Sequence, residues 1–396
     1  MIEAAGSTAT LTEVGDYQLR TRIVHGPGCL ERLGELARGL GCQRALMVTD
    51  PGILRAGHAG RGEACLRDAG LQVLMCTEAR ENPTTDDVQR GVDLAAPFQP
   101  DLIVGLGGGS AMDCAKGINF LLTNGGRMQD YWGVDKAIRP MLPLIAVPTT
   151  AGTGSEMQSF ALISDAQTHV KMACGDRKTC AKIAILDPDL TLTQPRAVTS
   201  LTGIDALSHA VETYMSKRRN LISMMYSREA FRLLTGAIET VLSRPEDRAA
   251  RAEMQMGACF AGLAIESSML GAAHALANPL TAKFGTAHGQ AVGLMLPHVV
   301  RYNAELYEAD YRALMTCFAA PTVPASDGQP LGSRHLADWL GQVLEAAGLA
   351  TDLRALGVEL ENVPGLAAAA VPQWTGTFNP RPLDAQILAD LYRAAF

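Results

Sequence analysis

Four ionisable side chains in the second half of the chain have the types needed to surround one cation. In LTGIDALSHAVETY, Ile204, Leu207, Val211 and Met215 form the apolar stripe of a helix. Asp205, His209 and Glu212 fall on another face at i, i+4 and i+7, so Asp205 and His209 project together. Further on, GAAHALANPLTAKFGTAHGQAVGLMLPHV carries His274, His288 and His298. One carboxylate with three imidazoles suits a divalent first-row ion such as Fe2+ or Zn2+. Spacing alone leaves open the alternative of core or surface histidines, because ligands would have to converge from separate helices. His298, which follows Pro297 among apolar residues, reads as structural.

A second kind of chemistry is written in glycines. DLIVGLGGGSAMDCAK places Gly105, Gly107, Gly108, Gly109 and Ser110 between an expected strand and an expected helix. Consecutive glycines let backbone N–H groups approach a diphosphate, and the helix N-terminus adds its dipole. Asp113, three residues after Ser110, reads as a capping-box-like acid. The pattern departs from GxGxxG at Ser110, so a plain structural turn remains an alternative. PTTAGTGSE follows another strand and crowds Thr149, Thr150, Thr153 and Ser155 together. Two such loops at strand C-terminal ends favour a nucleotide. Asp50 ends the strand RALMVTD. It either accepts hydrogen bonds from a ribose diol and repels a 2′-phosphate, or caps a helix that begins at Pro51.

These residues need a scaffold of 396 residues, with 47% apolar and 19% charged content, which suits two ordinary globular domains. The net charge of −7 without a long basic run argues against nucleic-acid and membrane-surface partners. Lys217, Arg218 and Arg219 read as a solvated helix end. Nine cysteines stand as singletons without a CxxC pair, which points to reduced thiols in a cytoplasmic protein. The first seventeen residues lack a signal-peptide pattern, and no window has 18 uninterrupted apolar residues.

Residues 1–195 read as an α/β domain. Arg44 to Asp50, Leu71 to Cys76, Asp101 to Gly105, Leu144 to Pro148 and Ile183 to Asp187 are buried strands, with helices at Thr85 to Ala96 and Ser110 to Leu122. Gln18 to His25 alternates like a half-exposed strand outside that sheet. Phe160 to Ser164 and His169 to Ala173 form a hairpin appended to it. Residues 196–396 read as an all-α bundle broken by Pro279, Pro297, Pro321 to Pro324 and Pro364, with a surface loop at Ala320 to Gly332.

Taken together, GGGSAMDCAK, PTTAGTGSE, LDPDLT, TGIDALSHAVE, HALANPL, HGQAVGLMLPHV and NPRPL resemble, in order, the motifs of the iron-dependent (group III) alcohol dehydrogenase family. The resemblance implies a Rossmann-like dinucleotide-binding α/β domain followed by a helical metal-binding domain, the dehydroquinate synthase-like architecture. It implies hydride transfer between NAD(H) and a primary alcohol or aldehyde whose oxygen is polarised by one divalent ion, Fe2+ favoured over Zn2+. By similarity, Asp205, His209, His274 and His288 match the metal ligands. Gly108, Gly109, Ser110 and Asp113 match the cofactor-phosphate loop, and Thr149, Thr150, Lys171 and Asn82 further cofactor contacts; the glycine and threonine loops themselves add Gly107 and Thr153 as cofactor-binding candidates. Asp50 matches the position that favours NAD over NADP. The family often has a histidine four residues after the third ligand. Here Asn278 stands there, a residue for positioning substrate or water that exchanges no proton near neutral pH. The resemblance also implies a homodimer or larger homo-oligomer. Rival readings are a maleylacetate-type oxo-acid reductase, a dehydroquinate-synthase-like lyase, and a nucleotide-binding protein without catalysis.

Overall fold

A computed structural model describes residues 17–321 and 330–396. The expected loop at Ala320 to Gly332 lies largely outside the described residues, as does the N-terminal stretch read for a signal peptide. The chain divides into an α/β unit, Gln18–Gln194, and a helical unit that runs from Pro195 to Phe396 and takes in Tyr17.

The α/β unit contains β1 (Arg22–His25), β2 (Arg44–Val48), β3 (Gln72–Cys76), β4 (Leu102–Gly107), β5 (Gly133–Val134), β6 (Leu144–Pro148), β7 (Phe160–Ser164), β8 (Lys171–Gly175) and β9 (Ile183–Leu186). Its helices are α1 (Leu33–Gly39), α2 (Pro51–Arg55), α3 (His58–Asp68), α4 (Thr85–Ala95) and α5 (Gly109–Asn124). Six strands form one parallel sheet in the order β1-β9-β6-β4-β2-β3. Its central strands are apolar on both faces. Leu46 and Val48 of β2 join Val88 and Ile118 of α4 and α5 in one cluster. Ala45 and Met47 join Leu33 and Leu66 of α1 and α3 in the other. Burial on both sides is why these strands read as continuous apolar runs. Each large side chain so buried contributes roughly 1.5–3 kcal/mol.

From β2 the chain moves outward to β3, then returns to the other side of β2 for β4. The strand order therefore reverses between β2 and β4. In open α/β sheets, ligands bind outside the strand C-terminal ends at such a reversal.

Two expectations for this unit need correction. The segment Gln18 to His25 is not outside the sheet. Its residues 22–25 form β1, the edge strand, paired in parallel with β9 from Arg22 opposite Ile183 to His25 opposite Leu186. An edge strand buries one face only, here through Val24, which gives the alternating pattern. Asp187, just after β9, fixes the turn that follows β1. Its Oδ1 accepts the Gly28 N–H at 3.0 Å and its Oδ2 the Leu30 N–H at 3.1 Å. The hairpin does form, as antiparallel β7 and β8, but it joins β5 in a separate three-stranded sheet. β8 leaves the main sheet because its backbone partners are β7 on one side and β5 on the other.

The helical unit contains α6 (Arg196–Met215), α7 (Leu221–Ser243), α8 (Arg248–Ser268), α9 (Ala272–Phe284), α10 (His288–Met315), α11 (Ser333–Ala347), α12 (Val363–Ala370) and α13 (Ala385–Ala394). No strand occurs in it among the described residues. α6 is buried along most of its length, between α7, α8 and α10.

Pro279 and Pro297 do not break helices but lie inside α9 and α10. Each removes an i→i−4 hydrogen bond, a loss on the order of 3 kcal/mol. Burial of Leu276 and Leu280 beside the first, and of Leu296 and Val299 beside the second, offsets it. α10 instead departs from helical geometry at Tyr307, with φ −123° and ψ 27°. Pro364 stands in the first turn of α12, where a proline starts a helix. The basic run is only partly solvated. Lys217 and Arg218 are exposed, but Arg219 pairs with Asp310 at 3.0 Å with its side chain 6% exposed. All nine cysteines are free thiols. No single described helix is long and apolar enough to cross a membrane.

Candidate functional site

In the helical unit, α6 presents Asp205 and His209 one turn apart, α9 presents His274 in its first turn, and α10 begins at His288. Glycines bring these helices close. Gly289 has no room for a Cβ against the Leu201 carbonyl of α6, and Gly293, one turn later, none against Ile204. The first turn of α10 therefore lies directly on α6 beside Asp205.

The imidazoles converge on one oxygen. From Asp205 Oδ1, the Nε2 atoms of His209, His274 and His288 stand 3.4, 3.6 and 3.9 Å away. The rings of His209 and His274 stack with centroids 5.0 Å apart. Ligand atoms of Asp205, His209 and His274 all lie within 4.8 Å of one another, and all three residues are buried. His288 sits at the margin, with its side chain 31% exposed. Asp205 Oδ1 and His274 Nε2 are buried without a hydrogen bond. A buried polar atom left in that state costs about 1–3 kcal/mol, and a cation is a group that would engage the oxygen and the deprotonated ring nitrogens at once.

The electrostatics couple the same residues to one another. Burial pushes the Asp205 carboxyl up, but the imidazoles of His209, His274 and His288 outweigh it and hold the group well below the ordinary carboxylate range. Burial works against a charged His274, yet the Glu212 and Asp205 carboxylates prevail and raise it to about 9. The carboxylates favour a charged imidazole and the imidazoles an ionised Asp205, so these groups bind protons as one coupled network.

Glu212 was on the expected face of α6 but had no assigned role. Its Oε2 lies 2.5 Å from His274 Nδ1, and its Oε1 accepts the Ala273 N–H at 2.6 Å. No spacing signalled this contact, because Glu212 and His274 lie on different helices, although a ligating histidine needs an acceptor for its other nitrogen. His298 is half-buried, and desolvation pushes its pKa down to about 4, so it is a neutral residue of the packing. Asn278 lies on α9 four residues after His274, and its Nδ2 donates to Gln373 Oε1 at 2.9 Å.

In the α/β unit, the C-terminal ends of β2, β4 and β6 bring the glycine and threonine loops together. A Cβ on Gly107 would stand 2.7 Å from Ala111 Cβ and 3.3 Å from Asp50 Oδ2. One on Gly109 would meet Thr153 Cγ2 and Oγ1 at 2.8 Å. Gly108 caps α5 without a side chain, so the first-turn N–H groups of that helix are left for an outside acceptor. Ser110 Oγ accepts the Asn82 N–H at 3.2 Å, and Asn82 Oδ1 accepts from Lys171 Nζ at 3.2 Å. Asn82 holds φ at +52°, a conformation asparagine tolerates. Thr149 is buried, and its Oγ1 has no hydrogen-bond partner. Thr150 packs its methyl group near Gly108.

Asp50 does cap α2. Its Oδ1 accepts from Gly52 N at 2.8 Å and Ile53 N at 3.0 Å, while Oδ2 faces Gly107. Capping by one oxygen leaves the ribose reading of the other intact.

Asp113 is not a capping acid. Its Oδ1 accepts from Ser155 Oγ at 2.9 Å, which draws it across to the second loop. Burial raises its pKa against the pull of Lys116 and the Ser155 hydroxyl. Lys116, which carried no sequence signal, is fully buried and donates to Ser155 O, Ser155 Oγ and Phe160 O at 2.7, 3.0 and 2.9 Å. Glu156 beside it is buried, and desolvation lifts it to about 7.

Comparison with known proteins agrees with both units. Residues 20–188 match the iron-containing alcohol dehydrogenase family, and residues 199–396 match the C-terminal region of the Fe-containing alcohol dehydrogenase family. The chain is 32% identical over 394 residues to a 1,3-propanediol dehydrogenase of Klebsiella pneumoniae, covering 96% of this chain and 98% of that one. It is 31% identical over 383 residues to an NAD-dependent methanol dehydrogenase of Bacillus methanolicus, covering 94% and 97%. A solved 1,3-propanediol oxidoreductase superposes with a TM-score of 0.91 at 31% identity, over 97% of this chain and 100% of that one. With the four-residue cluster, the paired loops and matches along both units, the chain belongs to the iron-containing alcohol dehydrogenase family and is an oxidoreductase acting on alcohols and aldehydes.

Proposed function

We propose that the protein interconverts a small primary alcohol and its aldehyde using NAD(H), with Asp205, His209, His274 and His288 holding one divalent ion, Fe2+ favoured and Zn2+ the alternative. The observation that carries this is the convergence of three imidazole nitrogens on the buried Asp205 Oδ1. When bound, the ion supplies Lewis acidity toward the substrate oxygen and the nicotinamide supplies the hydride acceptor or donor.

The remaining work belongs to the chain. Gly107, Gly108 and Gly109 expose the first turn of α5 to the cofactor diphosphate, with Ser110, Asp113, Thr153 and Lys171 fixing the loops around it. Thr149 and Thr150 offer hydroxyls, and Asn82 orients Lys171. Asp50 Oδ2 accepts from the adenosine ribose and disfavours a 2′-phosphate. Asn278 holds a water or the substrate hydroxyl; an amide exchanges no proton near neutral pH, so it positions rather than relays. We assign the protein to the cytoplasm and to a homo-oligomer on the same reading.

The test is metal removal. Chelated protein refilled with Fe2+ or Zn2+ is assayed by nicotinamide absorbance with alcohols, aldehydes and oxo-acids. The reading expects aldehyde and alcohol turnover that falls on chelation and returns on refilling. Faster turnover of oxo-acids would transfer the assignment to an oxo-acid reductase, and turnover indifferent to chelation would remove the metal.

A further inference from the structure

Glu212 spends both of its oxygens on α9. It projects from α6 with its side chain 3% exposed, and its two oxygens reach consecutive residues of the other helix. Oε1 takes the backbone N–H of Ala273, and Oε2 takes Nδ1 of His274. The N-cap position of α9 is Gly271, which has no side chain to satisfy the first-turn donors. Glu212 supplies that acceptor from a neighbouring helix and turns the His274 ring with the same carboxylate. Gly271 makes the seat: a Cβ there would stand 2.9 Å from Glu212 Oε1 and 3.4 Å from Asn379 Oδ1.

We propose that Glu212 is the positioning residue of the metal site, holding His274 in the tautomer with the proton on Nδ1 and with Nε2 directed toward Asp205. This rests on the metal reading of the cluster. A neutral imidazole has one donor and one acceptor nitrogen, so fixing Nδ1–H leaves the Nε2 lone pair for the ion. The geometry also requires a carboxylate. Both partners of Glu212 are donors, whereas a glutamine amide offers one acceptor oxygen and one donor nitrogen. Whichever way a glutamine turned, either the Ala273 N–H or the His274 Nδ1–H would face another donor. With the amide nitrogen toward His274, the ring is relieved by moving its proton to Nε2, which removes the lone pair from the site; with the amide oxygen toward His274, the Ala273 N–H loses its acceptor and the single remaining bond is weaker than one to a carboxylate.

The experiment compares the wild-type protein, Glu212→Gln and Gly271→Ala. Zinc affinity of each apoprotein is measured by competition with a chromophoric chelator, and the His274 tautomer in the zinc-loaded protein by nitrogen-15 NMR. Circular dichroism checks the fold. Folded Glu212→Gln is expected to bind zinc about 10–100-fold more weakly and to shift or lose the hydrogen-bonded Nδ1–H resonance. Gly271→Ala, which displaces the carboxylate without removing it, is expected to shift the same resonance and weaken zinc by a smaller factor. It also serves as the test should Glu212→Gln not fold. Wild-type affinity with an unchanged tautomer in either folded variant would overturn the proposal and leave Glu212 as a cap of α9. Failure of the metal reading looks different: the wild-type protein itself would bind no stoichiometric zinc, or His274→Ala would bind it equally well.

Discussion

The two candidate sites are built by opposite means. In the α/β unit, the loops work through backbone and through atoms that are missing. Gly107 and Gly109 are needed because a methyl group would strike Ala111 or Thr153. In the helical unit, the cluster works through side-chain lone pairs that helix periodicity and close packing bring to one point. The first kind of site is most sensitive to an added methyl group. The second is most sensitive to a change of atom type at constant shape.

The largest test of this contrast is His274→Ala, which removes a lone pair from the cluster. Turnover and metal occupancy should fall beyond the 10–100-fold typical of losing an orienting partner, while the fold persists by circular dichroism. Full occupancy by metal analysis would show that the cluster does not depend on that nitrogen.

Next comes the buried acid beneath the loops. Desolvation raises Glu156 from 4.5 to about 7, so between those values the folded state keeps a proton that the unfolded state releases. Its contribution is therefore fully present below pH 4.5 and lost as pH rises to 7, a fall of up to about 3 kcal/mol. Denaturant titrations should show Glu156→Gln free of that slope. A slope identical to the wild type would place the pH dependence elsewhere.

Gly109→Ala should cost about 1–3 kcal/mol through overpacking against Thr153 and raise KM for NAD. Adding Thr153→Ala should recover part of both, a coupling read from a double-mutant cycle. Additive losses would mean that the loops do not meet as described.

Asp50→Gly separates cap from charge, because glycine in place of an N-cap acid costs only a few tenths of a kcal/mol. The NADPH-to-NADH preference should rise about fivefold, as losing a charge contact near 1 kcal/mol implies. A fixed ratio would reduce Asp50 to its capping role. The smallest effect is expected for Asn278→Ala, which forfeits the bond to Gln373, about 0.5–1.5 kcal/mol. Its kcat/KM should drop a few-fold with the acidic limb of the pH profile in place; disappearance of that limb would show that Asn278 organises the group that titrates.

The sequence showed what local chemistry determines. β2, β4, β6 and β9 were legible because burial on both faces demands unbroken apolar runs. The ligand types were legible because carboxylates and imidazoles are uncommon in apolar helices. Long-range geometry was not. β1 alternates because it is an edge, a fact fixed by β9 some 160 residues later. Pro279 and Pro297 signalled helix ends, yet tertiary burial carries both helices through them. Asp113 sat at the spacing of a capping acid, but Ser155 from another loop claimed it. Glu212 was placed on its face but given no role, and Lys116 drew no attention, because their partners lie on other elements, out of reach of any periodicity.

The pairing of β1 with β9 also sets an order of assembly. The main sheet gains β1 only after residue 186 has been synthesised, since β1 pairs with β9 and the turn after it is held by Asp187. At about 5–20 residues per second, roughly 10–30 s separate the appearance of the two strands. Throughout that interval Val24, Leu30 and Leu33 lack part of their final cover. The β1 edge therefore becomes resistant to proteases only together with β9, after the strands between β2 and β6 can already have paired.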